Sequence, residues 1–505
     1  MRQRRTDSLT RGDLRILVFA LVAAASWPAS GAAQAEAERW AGDWRGTLQA
    51  GPQELPIIFH IAAGDEGLTA TMDSPAQGAY GIPMDGVDTA GDSLTLTLSA
   101  AQARYDGVMQ EDGSIHGTWT QGPASLPLNL DRADPGTEVE GSDPSAVIPD
   151  PATRPQTPHP PFPYRAEEVE VPHLEEEFSL AGTLTLPEGE GPFPGAVLVS
   201  GSGPQDRDET LLGHKPFAVL ADHLTRAGIA VLRYDDRGVG GSGGDFGSAT
   251  SVEFASDAES AVAWMEAHPE VAPEKVGIVG HSEGGLIAPM VATERGMLAY
   301  VVLLAGPGMT GEEIILDQSR LIGEAQGVDP EQLERSLAAN AALFEVVRTE
   351  KDPARAEGRL REVLRGVVAE MSPAERVQSG ISDESLEGWI DGQVMQLSSP
   401  WLRFFLTYDP VPALERTRVP VLALNGEKDL QVPYEANLAA IRGALERGGN
   451  SDYTVEALPG LNHLFQEATT GAPSEYATID ETMSPAVLDR ISSWIMHRFG
   501  GREQE

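Results

Sequence analysis

The chain has 505 residues, 41% of them hydrophobic and 22% charged, which is ordinary for a soluble globular protein, and its length predicts two or three domains. Its formal net charge of −41 disfavours binding to nucleic acid or anionic membranes, because such a surface repels phosphates. Since the sequence has no cysteine, disulfides, thiolate catalysis and lipid attachment at a lipobox cysteine are excluded.

The N-terminus has the pattern of an export signal. A basic stretch up to Arg15 precedes an apolar run at 16–27, and the small-x-small pattern Ala33-Gln34-Ala35 follows. The run is short for a bilayer span, so a cleaved signal peptide over 1–35 is favoured over a membrane anchor. The mature protein is expected to be periplasmic or secreted, without membrane insertion after cleavage.

Residues 36–133 are predicted to form a small all-β domain. Alternating apolar and polar residues at 55–61 and 93–98 follow the period of half-buried strands, and Gly-Asp, Asp-Gly and proline turns separate such runs. A barrel and a sandwich both fit this pattern. The tryptophans are expected in the core or at its rim: Trp40, Trp44 and Trp119. A linker rich in proline and acidic residues is predicted at 134–163.

From 164 to 500 the pattern predicts an α/β-hydrolase fold, a mostly parallel sheet with helices on both faces. The apolar runs that predict strands are 195–200, 229–234, 276–279, 300–304 and 419–424. Helix starts are expected at Thr250, where Glu253 completes a capping box, and at Ser484 before Pro485. The stretch at about 311–407 has helical spacing and no strand signal, which fits a lid over the active site or a packing subdomain.

The run Gly280–Gly284 reads Gly-His-Ser-Glu-Gly and matches the nucleophile elbow, which presents Ser282 on a sharp turn between a strand and a helix. Gly240–Gly244 also matches, but no helix follows Ser242 immediately, so Ser282 is preferred. A Gly-x-Gly-x-x-Gly match at 238–243 is discounted for the same reason.

The general base is predicted to be His463, in a loop that follows the strand near 452–458. The other histidine beyond the insertion, His497, is expected on the surface of the last helix. In this fold the order along the chain is serine, acid, histidine, and the loop after 419–424 offers Glu427 and Asp429. Asp429 is preferred as the acid that orients the imidazole.

The oxyanion hole is predicted to consist of backbone N–H groups. One belongs to Glu283, directly after the nucleophile, and the other to Ser202, with its neighbour Gly203 as the alternative. The Glu283 side chain is unusual at this position and is expected to pair with Arg207 or Arg233.

Several long motifs, in the same order, resemble EstD-type bacterial carboxylesterases over most of 164–500. They are Ser200–Asp208, Arg233–Gly238, Gly280–Gly285, Pro400–Phe405, Leu424–Asp429 and Asn462–Gln466. The resemblance implies hydrolysis of short-chain carboxylic esters, with neither a metal nor an organic cofactor. It also implies a triad of Ser282, Asp429 and His463.

The residues thus predict a serine carboxylesterase that acts on a small-molecule ester through an acyl-enzyme intermediate. The triad does not distinguish esters from other acyl substrates, so an exopeptidase or amidase and a thioesterase or acyltransferase of the same fold stay open. A different class of function is also open, in which the β-domain binds cell wall, glycan or protein. The natural substrate and the oligomeric state do not follow from the sequence.

Overall fold

Two sheets with different connectivity organise the chain. The computed structural model describes residues 39–50, 53–64, 67–74, 79–84, 86–98, 103–110, 112–121, 124–132, 154–295, 298–378, 381–382 and 386–500. The predicted signal peptide and the predicted linker up to residue 153 lie outside these ranges.

The first sheet has nine described strands, all antiparallel to their neighbours. They are β1 (Gly42–Ala50), β2 (Gln53–Gly64), β3 (Gly67–Ser74), β4 (Ala79–Pro83), β5 (Gly86–Ala90), β6 (Ser93–Leu98), β7 (Ala103–Met109), β8 (Ile115–Gln121) and β9 (Ala124–Arg132). Their spatial order is β4-β3-β2-β1-β9-β8-β7-β6-β5, and β3 also contacts β5. The sheet therefore curls into a nearly closed barrel, and of the two predicted architectures it is the barrel that forms.

The barrel is filled because successive side chains of a strand point to opposite faces. The three leucines of β6 are buried, while the two threonines between them are partly exposed. Trp40, Trp44 and Trp119 are all buried and so lie in the core. The ring centroid of Trp119 lies 6.0 Å from that of Phe59.

The second sheet is mostly parallel, as the apolar runs predict. Its strands are β10 (Arg165–Pro172), β11 (Ser179–Leu186), β12 (Phe193–Val199), β13 (Ala230–Tyr234), β14 (Val271–His281), β15 (Val301–Leu304), β16 (Val421–Gly426) and β17 (Tyr453–Leu458). The order is β10-β11-β13-β12-β14-β15-β16-β17, antiparallel up to β13 and parallel from there on. The loops after β12, β14, β16 and β17 therefore meet at one edge.

Helices cover both faces of this sheet. They are α1 (Pro216–Arg226), α2 (Ser251–Ala267), α3 (Glu283–Arg295), α4 (Gly311–Ala325), α5 (Pro330–Thr349), α6 (Pro353–Glu370), α7 (Pro373–Gln378), α8 (Leu386–Leu397), α9 (Pro400–Thr407), α10 (Val411–Arg416), α11 (Tyr434–Gly448) and α12 (Pro485–Phe499). The core on one face includes residues of α1 and α12, and the core on the other includes residues of α2, α3 and α11. The predicted capping box of α2 is confirmed, because Glu253 accepts the N–H of Thr250 at 2.8 Å.

The helices α4–α9 form one insertion between β15 and β16, and no strand occurs among its described residues. Apolar side chains at helical spacing give it a core of its own, which includes Leu343, Val347, Leu360 and Ile390. Its predicted role as a lid is a separate matter and stays a prediction. Of the helices in the described ranges, none is both long and apolar enough to cross a membrane.

The last ten residues of the predicted linker, which the structure describes, are anchored at their start. Arg154 is 1% exposed and donates hydrogen bonds to the carbonyls of Leu212, Ala477 and Ile479 at 3.0, 2.9 and 2.5 Å. This end of the linker packs against loops of the second sheet's domain and is not a free spacer.

Candidate active site

Ser282 lies on a strained turn between β14 and α3. Its φ of 52° is in the left-handed region, which residues other than glycine rarely adopt. The turn is held by the Ser282 N–H, which donates to the carbonyl of Leu304 at 2.8 Å. A Cβ at Gly280 would lie 2.0 Å from the Gly284 carbonyl oxygen, and one at Gly284 would lie 2.0 Å from that of Val199. The two glycines of the motif are therefore required by close backbone contacts.

His463 and Asp429 meet at the ends of neighbouring strands. The structure places Nδ1 of His463 2.8 Å from Oδ2 of Asp429, and both residues are buried. The other carboxylate oxygen of Asp429 accepts the N–H groups of Gln431 and Val432 at 2.8 and 2.9 Å. A carboxylate fixed in this way binds the Nδ1–H tautomer and leaves Nε2 as the basic nitrogen. The alternative acid, Glu427, is exposed.

Ser282 and His463 line the same cleft, which has a volume of about 110 Å³. The other lining residues are Gly201, Ser202, Gln205, Glu209, Leu211, His281, Gln431 and Leu464. In the described chain the Ser282 hydroxyl makes no hydrogen bond with His463. Such contacts are often long before a substrate binds.

Of the two predicted oxyanion donors, Glu283 follows Ser282 in the chain and Ser202 lines the same cleft as Ser282. Glu283 is the first residue of α3, so its N–H has no acceptor within the helix. The loop after β12 packs against the serine, because a Cβ at Gly201 would lie 3.2 Å from Cβ of Ser282. Ser202 lines the Ser282 cleft, whereas Gly203 does not.

The prediction for the Glu283 side chain is wrong. Neither arginine reaches it, because Arg207 pairs with Asp235 and Arg233 pairs with Asp208. The carboxylate is instead buried and accepts hydrogen bonds from Ser251 Oγ at 2.5 Å and from the indole N–H of Trp401 at 2.9 and 3.0 Å. Burial raises the pKa of this carboxyl above its usual value.

Two buried residues beside the predicted triad were not singled out from the sequence. Oε1 of Glu209 accepts the N–H of Gly201 and contacts Nδ1 of His281, both at 2.8 Å. The second ring nitrogen of His281 lies 3.1 Å from the carbonyl oxygen of His463. Glu209 directly follows the motif Ser200–Asp208, and His281 directly precedes the nucleophile, so their positions in the sequence were the available signal.

Asp236 also supports the loop after β12. Its carboxylate accepts the hydroxyl of Ser200 and the N–H of Gln205, both at 2.9 Å. Burial raises the pKa of Asp236 to about 8. The loop that carries Ser202 is therefore fixed at both ends by buried carboxyl groups.

Ser242, the serine of the second Gly-x-Ser-x-Gly match, has a structural role. Ser242 Oγ donates to the carbonyl of Asp235 at 2.7 Å and accepts the N–H of Ala181 at 2.9 Å, which closes the glycine-rich turn. His497 is exposed on α12, as expected. Within the described ranges, no group of three or more histidine or acidic side chains could hold a metal ion.

These elements can be compared with known proteins. A family model described as the alpha/beta hydrolase family matches residues 196–478. The chain belongs to the alpha/beta hydrolase family. The predicted fold class is thereby confirmed for the second domain, and the match includes all three residues of the predicted triad.

Among curated proteins, the hydrolase is similar to Esterase EstD of Thermotoga maritima, at 36% identity over 320 residues, or 63% of this chain and 65% of the relative. It is also 34% identical to human acyl-coenzyme A thioesterase 1 over 125 residues, which are 24% of this chain and 26% of the relative. The chain thus spans less than two thirds of either relative. The solved esterase Pf2001 of Pyrococcus furiosus aligns with 67% of this chain and 94% of its own, at 15% identity and a TM-score of 0.38.

Proposed function

We propose that this hydrolase is a serine carboxylesterase that cleaves short-chain carboxylic esters through Ser282, His463 and Asp429. The observation that carries the proposal is the 2.8 Å contact between His463 Nδ1 and Asp429, in the cleft that Ser282 enters from its strained turn. This arrangement supplies a nucleophile, a base with one defined tautomer and a buried counter-charge. The similarity to Esterase EstD supports the choice of ester substrates.

In the acylation step, Nε2 of His463 takes the proton of Ser282 while Oγ attacks the ester carbonyl carbon. The N–H groups of Glu283 and Ser202 bind the oxyanion that develops. The C–O bond then breaks and the alcohol leaves with the proton from His463. Asp429 stays ionised and stabilises the imidazolium in between.

In the deacylation step, His463 removes a proton from water, which attacks the acyl carbon of the Ser282 ester. The same two N–H groups bind the second oxyanion, and the proton returns to Oγ as the carboxylic acid leaves. All protons pass through Nε2 of His463, so the mechanism needs no metal ion or organic cofactor.

The cleft supports small substrates. Its volume of about 110 Å³ is well below the roughly 300–1,000 Å³ of sites for drug-sized ligands. Long acyl chains would have to lie outside it, so acetyl and butyryl esters are the expected substrates.

A thioesterase is the second candidate, because several acyl-coenzyme A thioesterases match about a quarter of the chain. The charge of the protein argues against it. Coenzyme A carries several phosphate charges, and a chain with a net charge of −41 repels such a ligand. Neutral esters meet no such barrier.

We also propose that the protein is exported by a cleaved signal peptide at 1–35, and that the helical insertion covers the cleft as a lid. The first proposal rests on the sequence pattern alone. The second is supported by Trp401 of α9, which reaches the residue next to the nucleophile.

The deciding experiment compares p-nitrophenyl acetate and butyrate with acetyl- and butyryl-coenzyme A as substrates. Ser282→Ala should lose on the order of 10⁴-fold or more in kcat, while Ser242→Ala, the matched control, should keep its ester activity. Faster turnover of the thioesters would favour the second candidate. Full activity of Ser282→Ala would show that the nucleophile is a different residue.

A further inference from the structure

We propose that Glu209 is a positioning residue. It fixes the loop after β12 that carries Ser202, called here the oxyanion loop, relative to His463. It acts on His463 through His281 and does not touch substrate. This inference rests on the proposed esterase function. Glu209 follows the loop after β12, and its side chain is 7% exposed. One oxygen, Oε1, meets both the Gly201 N–H and the Nδ1 of His281.

These contacts join three segments that the chain brings from distant positions. Gly201 precedes the proposed oxyanion donor Ser202, and His281 precedes Ser282. His281 in turn reaches the carbonyl of His463 at 3.1 Å. A single carboxylate therefore connects the oxyanion loop, the nucleophile turn and the histidine loop.

The hydrogen-bond role of one ring nitrogen of His281 is fixed by chemistry. A carbonyl oxygen can only accept, so Nε2 of His281 must donate to His463. We assign the Glu209 side chain as a carboxylate, so that Oε1 accepts from both Gly201 and Nδ1 and both ring nitrogens carry hydrogen. Burial lowers the pKa of His281, but the charge and hydrogen bond of Glu209, together with the His463 carbonyl and the charge of Asp429, leave that pKa above its usual value. In this proposal the cluster is an imidazolium–carboxylate pair.

Stability alone does not account for this carboxylate. Its second oxygen, Oε2, is buried and has no hydrogen-bond partner in the described chain. An unsatisfied buried acceptor costs about 1–3 kcal/mol. Unfavourable groups of this kind are retained where they serve a site, and Glu209 lines the cleft that holds Ser282 and His463.

Glutamine at this position cannot reproduce the cluster. A neutral imidazole has one N–H, which the carbonyl of His463 requires at Nε2. The Nδ1 atom of His281 then needs a hydrogen-bond donor, whereas the N–H of Gly201 needs an acceptor. Both groups contact the same side-chain atom, the one at the Oε1 position of residue 209. An amide oxygen or an amide nitrogen there satisfies only one of them. Glu209→Gln therefore releases either the oxyanion loop or His281.

The test measures kcat and KM for p-nitrophenyl acetate in Glu209→Gln, His281→Asn and the double variant. Glu456→Gln is the matched control, since it removes a carboxylate from an ion pair with Arg490 outside these segments. We expect Glu209→Gln to lower kcat at least about 10-fold, with KM within about 3-fold of the wild type. The double variant should lose about as much kcat as the worse single variant, and clearly less than the product of the two single losses.

A second measurement uses an alkyl fluorophosphonate, which needs no natural substrate. Ser282 Oγ attacks phosphorus, fluoride leaves and the serine proton passes to His463. The rate of this reaction therefore depends on the nucleophile, the base and the oxyanion donors together. Glu209→Gln should slow this reaction about as much as it lowers kcat. If the wild type cleaves no ester but reacts with the probe, the esterase proposal fails while the probe still decides the role of Glu209.

Three results would overturn the inference. One is a Glu209→Gln variant that keeps kcat and the probe rate within twofold of the wild type. A rise of KM at constant kcat would instead show that Glu209 contacts substrate. Fully multiplicative losses in the double variant would show that Glu209 and His281 act independently. Thermal unfolding of each variant shows whether a loss of rate reflects a loss of fold.

Discussion

The indole N–H of Trp401 lies between the two carboxylate oxygens of Glu283, at 2.9 and 3.0 Å. Trp401 belongs to α9 in the helical insertion, and Glu283 directly follows Ser282, the proposed nucleophile. Since Glu283 is 3% exposed and receives one other side-chain hydrogen bond, from Ser251, the indole is one of its two side-chain donors. The position of the insertion and the turn that presents Ser282 are therefore linked through one buried carboxylate.

Trp401→Phe should destabilise the hydrolase domain by about 1–3 kcal/mol, because it leaves a buried carboxylate with one donor fewer. The aromatic stack on Phe405, at 5.1 Å between ring centroids, can be retained. Urea unfolding measures the loss, and Trp389→Phe in the same insertion is the control. If Glu283→Gln and Trp401→Phe show purely additive effects in a double-mutant cycle, the hydrogen bond is not the cause.

Asp429→Asn should lower kcat by about 10⁴-fold with little change of fold. The amide oxygen can still accept the N–H groups of Gln431 and Val432, so the amide nitrogen faces His463. It donates to Nδ1 and forces the proton onto Nε2, which then cannot accept the serine proton. Steady-state kinetics on p-nitrophenyl acetate gives the result, and Glu427→Gln is the control. Equal losses in both variants would contradict the assignment of the acid.

The strands of the parallel sheet could be predicted because buried strands are continuous apolar runs. β10 was not predicted, since it lies at the sheet edge and half of its eight residues are exposed charged side chains. Its only apolar alternation is the pair Val169 and Val171, which is too short to predict a strand. The barrel could not be separated from a sandwich, because closure depends on the contact between β3 and β5 and both architectures have the same alternation.

The places of the three proposed triad residues in the fold could be predicted, because each follows a strand of the sheet in a fixed chain order. The partners of the buried acids could not be predicted. Glu283 meets a tryptophan 118 positions away, and Glu209 meets a histidine 72 positions away. Nothing in the local sequence marks either pair. Arg207 and Arg233 were the expected partners of Glu283, but the fold places them beside Asp235 and Asp208.

His214 should make the hydrolase domain sensitive to acid. Burial, reinforced by the charge of Arg154, lowers the pKa of His214 to about 4. A lowered pKa means that the stabilising contribution is complete above the unfolded value of about 6.5 and is lost as the pH falls towards about 4, a difference of about 3 kcal/mol. The neutral ring is held by Thr482 and the carbonyl of Tyr476 at 2.9 and 3.0 Å.

His214→Gln tests this assignment. The variant should be less stable than the wild type at pH 7.5, and the gap between them should narrow as the pH falls from 6.5 to 4. Thermal unfolding at a series of pH values measures it, with His497→Gln on the exposed face of α12 as the control. A gap that stays constant with pH would mean that His214 does not titrate in this window.

Arg154→Met should destabilise the hydrolase domain by about 3 kcal/mol or more, because it leaves three carbonyl acceptors without their donor. Two of these carbonyls belong to the segment 477–479, next to Tyr476, whose hydroxyl accepts a hydrogen bond from Gln431 at 2.9 Å. Gln431 in turn donates its N–H to Asp429, so a loosened segment should also lower kcat.

Arg165→Met is the matched control for Arg154→Met. It removes an exposed arginine from ion pairs with Glu167 and Glu270 on the same domain, and should cost less than about 1 kcal/mol. Urea unfolding and esterase kinetics on both variants measure the free energy of unfolding and kcat. Equal stability of the two variants would show that the Arg154 contacts contribute no more to stability than an exposed ion pair does. A large difference in stability and kcat between the two variants would show that the hydrolase domain includes residues from Arg154 onwards, which hold the loop that carries Asp429.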